Sequence, residues 1–285
     1  MNKIKIGIFT TIGLITMMCS IIIYSSIMLE DEIDDHVERV KTVAKATQLT
    51  AYNPAELEGL PPPVKRYFKF TFVENHQPTE LTHFNMEGDF RRPNTEGFEF
   101  TTAEQTLSIN SPDFIFSATT PILPGVWARV YDAFFNSEMM MKAKIFSLIT
   151  VVDEQETPEL NRISLRRWLL ETAMFPAALL PGGHVKWEAI NSNKARAIVS
   201  KGNLKASLIA TFREDGSLAS FDAENDGDLT TPYHGSGEQV LRDDYRLVSG
   251  MMIPHKFTIS RVSHGNVFPF WKGNITSIRF FNSKQ

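Results

Sequence analysis

The longest hydrophobic run of the chain lies at its start. From Ile6 to Leu29 no side chain is charged, and a helix of this length rises about 36 Å, enough to cross a bilayer core of about 30 Å. A cleaved signal peptide would have a shorter apolar region ending at a small-x-small site. A lipoprotein would use Cys19, but Thr16-Met17-Met18 lacks the small residue expected before a lipidated cysteine. We therefore predict an uncleaved anchor over residues 1–29.

Charges near the ends of this run predict its orientation. Lys3 and Lys5 precede the run directly, whereas Arg39, Lys41 and Lys45 follow only after an acidic stretch. Because Lys3 and Lys5 lie closer to the run than the later basic residues do, the positive-inside rule favours a cytoplasmic N-terminus. We expect a single-pass protein of the inner or cytoplasmic membrane, with the remainder of the chain periplasmic or extracellular.

A second helical pattern follows the anchor. We interpret residues 30–35 as a turn-rich acidic stretch, after which apolar side chains recur every three or four residues along a helix that ends near Leu49. Two alternatives stay open: this helix covers part of the downstream domain, or residues 33–47 form the seam of a weak homodimer. The stripe consists of Ile33, Val37, Val40, Ala44 and Thr47.

Proline-rich punctuation separates this segment from the rest of the chain. Asn53-Pro54 and Pro61-Pro62-Pro63 predict a linker over Ala51–Leu60 with a turn of helix, followed by a short helix over Pro63–Phe70 that carries Arg66 and Tyr67. The predicted organisation is an anchor (1–29), a juxtamembrane helix and linker (30–59), and one β domain (60–285).

From about Leu81 the apolar pattern changes to period two. In the segment 204–212, apolar Leu204, Ala206 and Leu208 alternate with polar side chains, which predicts a strand with one buried face. Turn residues separate a dozen such segments, which favours an antiparallel meander over a doubly wound parallel sheet. The other predicted strands are Thr82–Arg91, Gly97–Leu107, Asp113–Thr119, Val126–Phe135, Met139–Thr150, His184–Ile190, Ala195–Ser200, Leu218–Glu224, Glu238–Val248, Ile253–Val262 and Asn274–Phe281.

One helical segment interrupts the strands. Residues Pro158–Leu170 have helical apolar spacing, and Pro176 and Pro181 terminate it irregularly. We predict a mainly β (α+β) fold in which an N-terminal transmembrane helix precedes a large curved antiparallel sheet, or half-barrel. The helix would lie on the concave face, with an apolar groove between the two.

Composition excludes several function classes. A net charge of −4, with 29 basic and 33 acidic side chains, gives no electrostatic footprint for nucleic acid. The single cysteine, Cys19, lies in the predicted span, so the β domain has no disulfide or cysteine metal site. None of the seven histidines has zinc-hydrolase spacing and no calcium-loop pattern occurs. We therefore predict no metal and no cofactor.

The strongest candidate site is the end of the predicted helix. Glu171 follows an apolar run, and a carboxylate removed from water must be paired, hydrogen-bonded or protonated. One interpretation is a structural ion pair with Arg166, Arg167 or Arg66, and we take Arg66 as the specific partner. The other is a polar anchor at the end of a ligand cavity.

Large apolar side chains supply the remaining candidates. Phe116, Met139 and Met141 are interpreted either as core or as the lining of a hydrophobic pocket, because adaptable methionines suit poorly specified ligands. Alternation predicts Met139 and Met141 on one face of their strand and Met140 on the other. The tentative ligand-binding set is Glu171, Arg66, Tyr67, Trp187, Phe116, Met139 and Met141.

Several short segments, taken in order, resemble a known family. The chain from Leu60 onward is similar to an uncharacterised bacterial family, domain of unknown function 6544. The resemblance implies no activity, but its strand-rich plan looks like the half-barrel carriers of lipoproteins and lipids. The segments are Leu60–Tyr67, Glu171 with Pro176 and Leu179–Pro181, Trp187-Glu188, and Gly250 with Ile253-Pro254.

Three functions remain open at this stage. The leading hypothesis is a membrane-anchored envelope protein that binds a hydrophobic or lipid-like ligand, because no catalytic motif is recognisable. The alternatives are a hydrolase of a lipid or envelope polymer, in which Glu171, Glu188, Asp132 and a histidine would converge, and an envelope interaction scaffold.

Overall fold

The computed structural model describes residues 2–46, 54–73, 79–93, 95–230 and 236–282. It is mainly β, as predicted: thirteen strands form one antiparallel sheet, in the order β6-β5-β4-β3-β2-β1-β13-β12-β11-β10-β9-β8-β7. The strands are β1 (Leu81–Phe90), β2 (Glu99–Ser108), β3 (Phe114–Leu123), β4 (Val126–Phe135), β5 (Glu138–Ile145), β6 (Ile149–Gln155), β7 (Val185–Ala189), β8 (Lys194–Lys201), β9 (Leu204–Phe212), β10 (Leu218–Asp222), β11 (Gln239–Val248), β12 (Met251–Ser263) and β13 (Asn266–Phe281).

The chain begins with one long helix, α1 (Asn2–Ala46). Its first half has the length and composition of a single-pass anchor or a signal sequence. The turn predicted at residues 30–35 is wrong, because the helix continues through them. Basic side chains of the sheet pair with the acidic ones: Glu30 binds Arg129 at 2.7 Å and Glu32 binds Lys142 at 2.9 Å.

The second half of α1 packs on the outer face of β2, β3 and β4. Ile33, Val40 and Ala44 are buried there with Ile115 and Ala133, so the covering role is confirmed and these side chains are occupied within the chain. Thr47 and the predicted helix end near Leu49 lie outside the described residues.

Two shorter helices lie within the β domain. The short predicted helix is confirmed as α2 (Pro62–Thr71). The interrupting helix is α3 (Pro158–Glu171), which begins where the Thr157 hydroxyl accepts a hydrogen bond from the Leu160 amide at 3.1 Å. Within the described residues, three 3-10 turns complete the helical elements, at Pro54–Leu57, Thr172–Met174 and Pro176–Leu179.

The sheet curves around α3. This helix contacts β4 and β5 near one end of the sheet and β8 and β9 near the other. Its Trp168 and Leu169 are completely buried in the main hydrophobic core. The half-barrel with a helix on its inner face is therefore confirmed, and the inner face is filled by side chains.

Strands β3 and β4 are buried on both faces. Phe114, Phe116 and Phe134 belong to the inner core around α3, whereas Ile115 and Phe135 belong to the cluster beneath α1. Alternate side chains of a strand point to opposite faces, so these strands carry apolar residues consecutively because each face has its own helix.

The predicted strand Met139–Thr150 is wrong and consists of two strands. Phe146 and Ser147 adopt left-handed φ angles of 54° and 58°, and the Leu148 amide bonds the Ile145 carbonyl at 3.0 Å. This tight turn reverses the chain between β5 and β6. Apolar residues continue through the turn, so period-two reasoning did not reveal it.

Candidate functional site

A buried ionic cluster joins α3 to the inner face of the sheet. The Arg167 side chain, 1% exposed, donates from Nη1 to Asp132 Oδ2 at 2.5 Å and from Nε to Glu171 Oε1 at 3.1 Å. The side-chain amide of Gln105 donates to the second Glu171 oxygen. We call Arg167, Asp132, Glu171 and Gln105 the Arg167 cluster; it connects α3 with β2 and β4.

Aromatic rings enclose this cluster. The Arg167 guanidinium lies 4.5 Å from the centre of the Phe116 ring and 5.2 Å from that of Phe114. Such cation–π contacts stabilise a cation that has lost its water. Phe116 therefore lies against Arg167 as part of the core.

The electrostatics of the cluster are strongly perturbed. Burial raises the pKa of Asp132 to about 7; Arg167 opposes this shift and the neighbouring Glu171 adds to it. The nearby Arg242 donates to the Leu170 carbonyl at 3.1 Å. Burial lowers the pKa of Arg242 to about 10, and Glu171 counteracts that shift.

The predicted partnership of Glu171 with Arg66 is wrong. Arg66 is partly exposed and donates to the Ser192 carbonyl at 2.7 Å. Helix α2, which carries Arg66, contacts β8 and β12, whereas Glu171 faces Gln105 on β2. The Arg167 alternative is correct, because an i,i+4 pair on one helix places the two groups together.

The other candidate residues lie in two groups. Tyr67 is fully buried, and Trp187 donates to the Leu179 carbonyl at 3.1 Å; the rings of both lie near Phe212, with centroids 5.5 and 6.1 Å away. Met139 and Met141 pack in the inner core and Met140 packs beneath α1, as alternation predicted. Tyr67 and Trp187 therefore share a neighbour in Phe212, whereas Met139 and Met141 lie on β5.

The carboxylates of the hydrolase hypothesis also separate. Asp132 and Glu171 share Arg167 in the interior, but Glu188 lies at the surface on β7 and pairs with Arg196 at 2.8 Å. Across residues 2–46, 54–73, 79–93, 95–230 and 236–282, no three His, Cys, Asp or Glu side chains are grouped so as to hold a metal ion.

Among the residues that the structure describes, two polar cavities lie away from the Arg167 cluster. One, of about 370 Å³, lies beside α3, where Glu238 binds both Arg166 and Arg261 at 3.0 Å. Another, of about 430 Å³, lies next to Glu30 and Arg129 on the outer face of the sheet.

A third cavity, of about 340 Å³, lies between α1 and the outer face of β1, β2, β3 and β13, and we call it the α1 cavity. Small-molecule sites have volumes of about 300–1,000 Å³. None of the seven candidate residues lines these three cavities. The α1 cavity is lined by Ile33, Asp34, Val37, Lys41, Leu81, His83, Glu104, Thr106, Ile115, Ser117, Arg279 and Phe281.

The α1 cavity was not recognised from sequence. Its lining comes from a helix and from strands that are distant along the chain, so no local motif marks it. The available signal was the pair of consecutive apolar runs Phe114–Phe116 and Ala133–Phe135, which are typical of strands covered on both faces.

These features define a half-barrel of the α+β class, with the second half of α1 packed on its outer face. A family of unknown function, DUF6920, matches residues 58–280, so the chain belongs to the DUF6920 family. The family number 6544 expected from the sequence is therefore wrong, although an uncharacterised family was correctly predicted.

No curated protein matches the chain. A solved DUF1329 family protein from Desulfovibrio piger shares 8% identity over 77% of this chain and 93% of its own, with a TM-score of 0.39.

Proposed function

We propose that this protein is a single-pass envelope protein, anchored by α1 in the inner or cytoplasmic membrane, that binds a lipid-like ligand in the α1 cavity. One observation carries the proposal: the cavity lies directly against the part of α1 that follows the anchor. Ile33, in its lining, comes one helical turn after Leu29, the last residue of the uncharged run. A membrane lipid or fatty acid would therefore reach it over a short distance.

The chemistry of the lining suits an amphiphilic molecule. Val37 and Phe281 offer an apolar surface. Lys41 and Arg279 are cations that would contact an anionic head group, and the acids Asp34 and Glu104 lie beside them.

His83 adds a neutral polar group to the lining. Its Nδ1 lies 2.9 Å from the Thr106 hydroxyl, and burial lowers its pKa. Burial therefore favours the uncharged ring, which limits the cost of placing an acyl chain beside it.

Photocrosslinking tests the proposal with the full chain in lipid nanodiscs. A fatty acid that carries a diazirine is added, crosslinked by light and mapped by mass spectrometry. We expect adducts on peptides containing Val37 and Phe281, in addition to bulk-lipid adducts along residues 7–28. Val37→Trp fills the cavity and should reduce the cavity adducts about tenfold or more, the effect of about 1.4 kcal/mol.

Thr42→Trp is the matched control, because Thr42 is exposed on the same helix. It should leave the cavity adducts unchanged, and the bulk-lipid adducts serve as an internal reference in both variants. Equal labelling of the wild type, Val37→Trp and Thr42→Trp at the cavity peptides would refute ligand binding there.

A further inference from the structure

The direction of β4 relative to α1 tells which end of the sheet lies toward the anchor. Glu30 binds Arg129 at 2.7 Å, and farther along α1 the Arg39 guanidinium lies 4.6 Å from the Phe135 ring. Residue numbers therefore increase in the same direction along α1 and along β4. The start of β4, at Val126, points toward the apolar first half of α1.

Among strands β1 to β6, antiparallel pairing places three hairpin tips at this end. They are the connections between β1 and β2, between β3 and β4, and between β5 and β6. We call them the anchor-side tips. Val126 precedes Arg129 by three strand residues, about 10 Å at about 3.3 Å per residue, so the tips extend back beside the last turns of the uncharged run.

The anchor-side tips expose large apolar side chains. Leu123 is 66% exposed, Ile149 56% and Phe100 55%, and Phe98 and Leu148 are exposed as well. At the opposite ends of the same strands, residues 109–113 and 136–137 expose no large apolar side chain. The asymmetry follows the anchor, which indicates a surface directed toward an apolar medium.

Aromatic rings and cations accompany these side chains. The Phe98 ring centre lies 5.2 Å from the Arg91 guanidinium and 5.1 Å from the Lys272 ammonium. Trp127 packs edge to face on Phe146, with centroids 5.0 Å apart. Aromatic belts form at membrane–water interfaces, and basic groups there are attracted to anionic lipids.

We propose that the anchor-side tips insert into the interfacial layer of the bilayer that α1 crosses, so that the β domain sits on the membrane surface. The partner of this surface is the lipid bilayer itself. Leu123, Ile149 and Phe100 would contact acyl chains, and Arg91 and Lys272 would contact lipid phosphates. This inference shares the anchor with the proposed function but does not require a ligand in the α1 cavity.

Depth measurement with a fluorescent probe tests this proposal. The full chain is labelled at a single cysteine with an environment-sensitive dye and reconstituted into vesicles that contain spin-labelled, quenching lipids. Leu123→Cys and Ile149→Cys are made in a Cys19→Ser background. We expect blue-shifted emission and lipid quenching at both positions. Glu138→Cys, exposed at the opposite end of the sheet, is the control and should show neither.

The native Cys19, exposed within the uncharged run, reports separately on the anchor. Quenching at Cys19 together with no more quenching at Leu123→Cys and Ile149→Cys than at Glu138→Cys would overturn tip insertion and leave the anchor intact. An unquenched Cys19 would overturn both tip insertion and the membrane anchor of the proposed function. If the tips are quenched but the α1 cavity is not labelled by the fatty acid, tip insertion stands and only ligand binding in the α1 cavity is overturned.

Discussion

Asp132 is a buried acid whose replacement by asparagine tests the electrostatics of the Arg167 cluster. The cluster contains two carboxylates and one guanidinium, and only 1% of Asp132 is exposed. In Asp132→Asn, the new side-chain amide would keep an oxygen that accepts the Arg167 hydrogen bond, but it would carry no charge. The remaining Arg167–Glu171 pair would then be neutral.

The magnitude follows from the pKa of Asp132, which rises from 3.8 to about 7 on folding. Below the lower value, Asp132 is protonated in the folded and unfolded states. As the pH rises toward 7, the unfolded chain releases this proton before the folded chain does, so folding loses stability. At about 1.4 kcal/mol per pKa unit, the loss is of the order of 4 kcal/mol and is complete above about pH 7.

The assay is chemical unfolding of the full chain in detergent, followed by tryptophan fluorescence from pH 4 to pH 8. Asp132→Asn should become more stable than the wild type as the pH rises, by a difference that approaches the same order of about 4 kcal/mol. Asp89→Asn, at an exposed position on β1, should follow the wild type. Parallel pH curves for the wild type and Asp132→Asn would refute the raised pKa.

Further predictions concern single contacts, each measured by the free energy of unfolding. Arg167→Met removes the guanidinium that binds both buried carboxylates and should cost about 3–5 kcal/mol; a loss below about 1 kcal/mol would contradict the cluster. Glu171→Gln and Arg66→Ala should be additive within about 0.5 kcal/mol, since Arg66 binds elsewhere, and a larger coupling would restore their partnership. Gly88→Ala would bring a Cβ within 2.1 Å of the Lys272 carbonyl and should cost about 1–3 kcal/mol. Gly97→Ala meets no atom within 4 Å and serves as its control; equal losses would refute the close approach of β1 and β13.

Local patterns predicted most elements because the forces that select them act over a few residues. Strands Val126–Phe135 and Leu204–Phe212 agree with their predicted bounds. In Leu204–Phe212, period two aligns the apolar side chains on one face. Helix α3 differs from the prediction by one residue at its end. The turn at Phe146-Ser147 was not predicted, because its left-handed backbone uses neither glycine nor proline.

The sequence by itself determined the uncharged run of α1, the antiparallel β class and the need of Glu171 for a countercharge, since each depends on neighbouring residues alone. Only the tertiary structure decided that Arg167 rather than Arg66 meets that need, because several arginines were compatible with it. The same holds for the continuation of α1 through residues 30–35. Its acidic side chains are stabilised by Arg129 and Lys142, which lie about a hundred residues away in the chain and become neighbours only when the sheet forms.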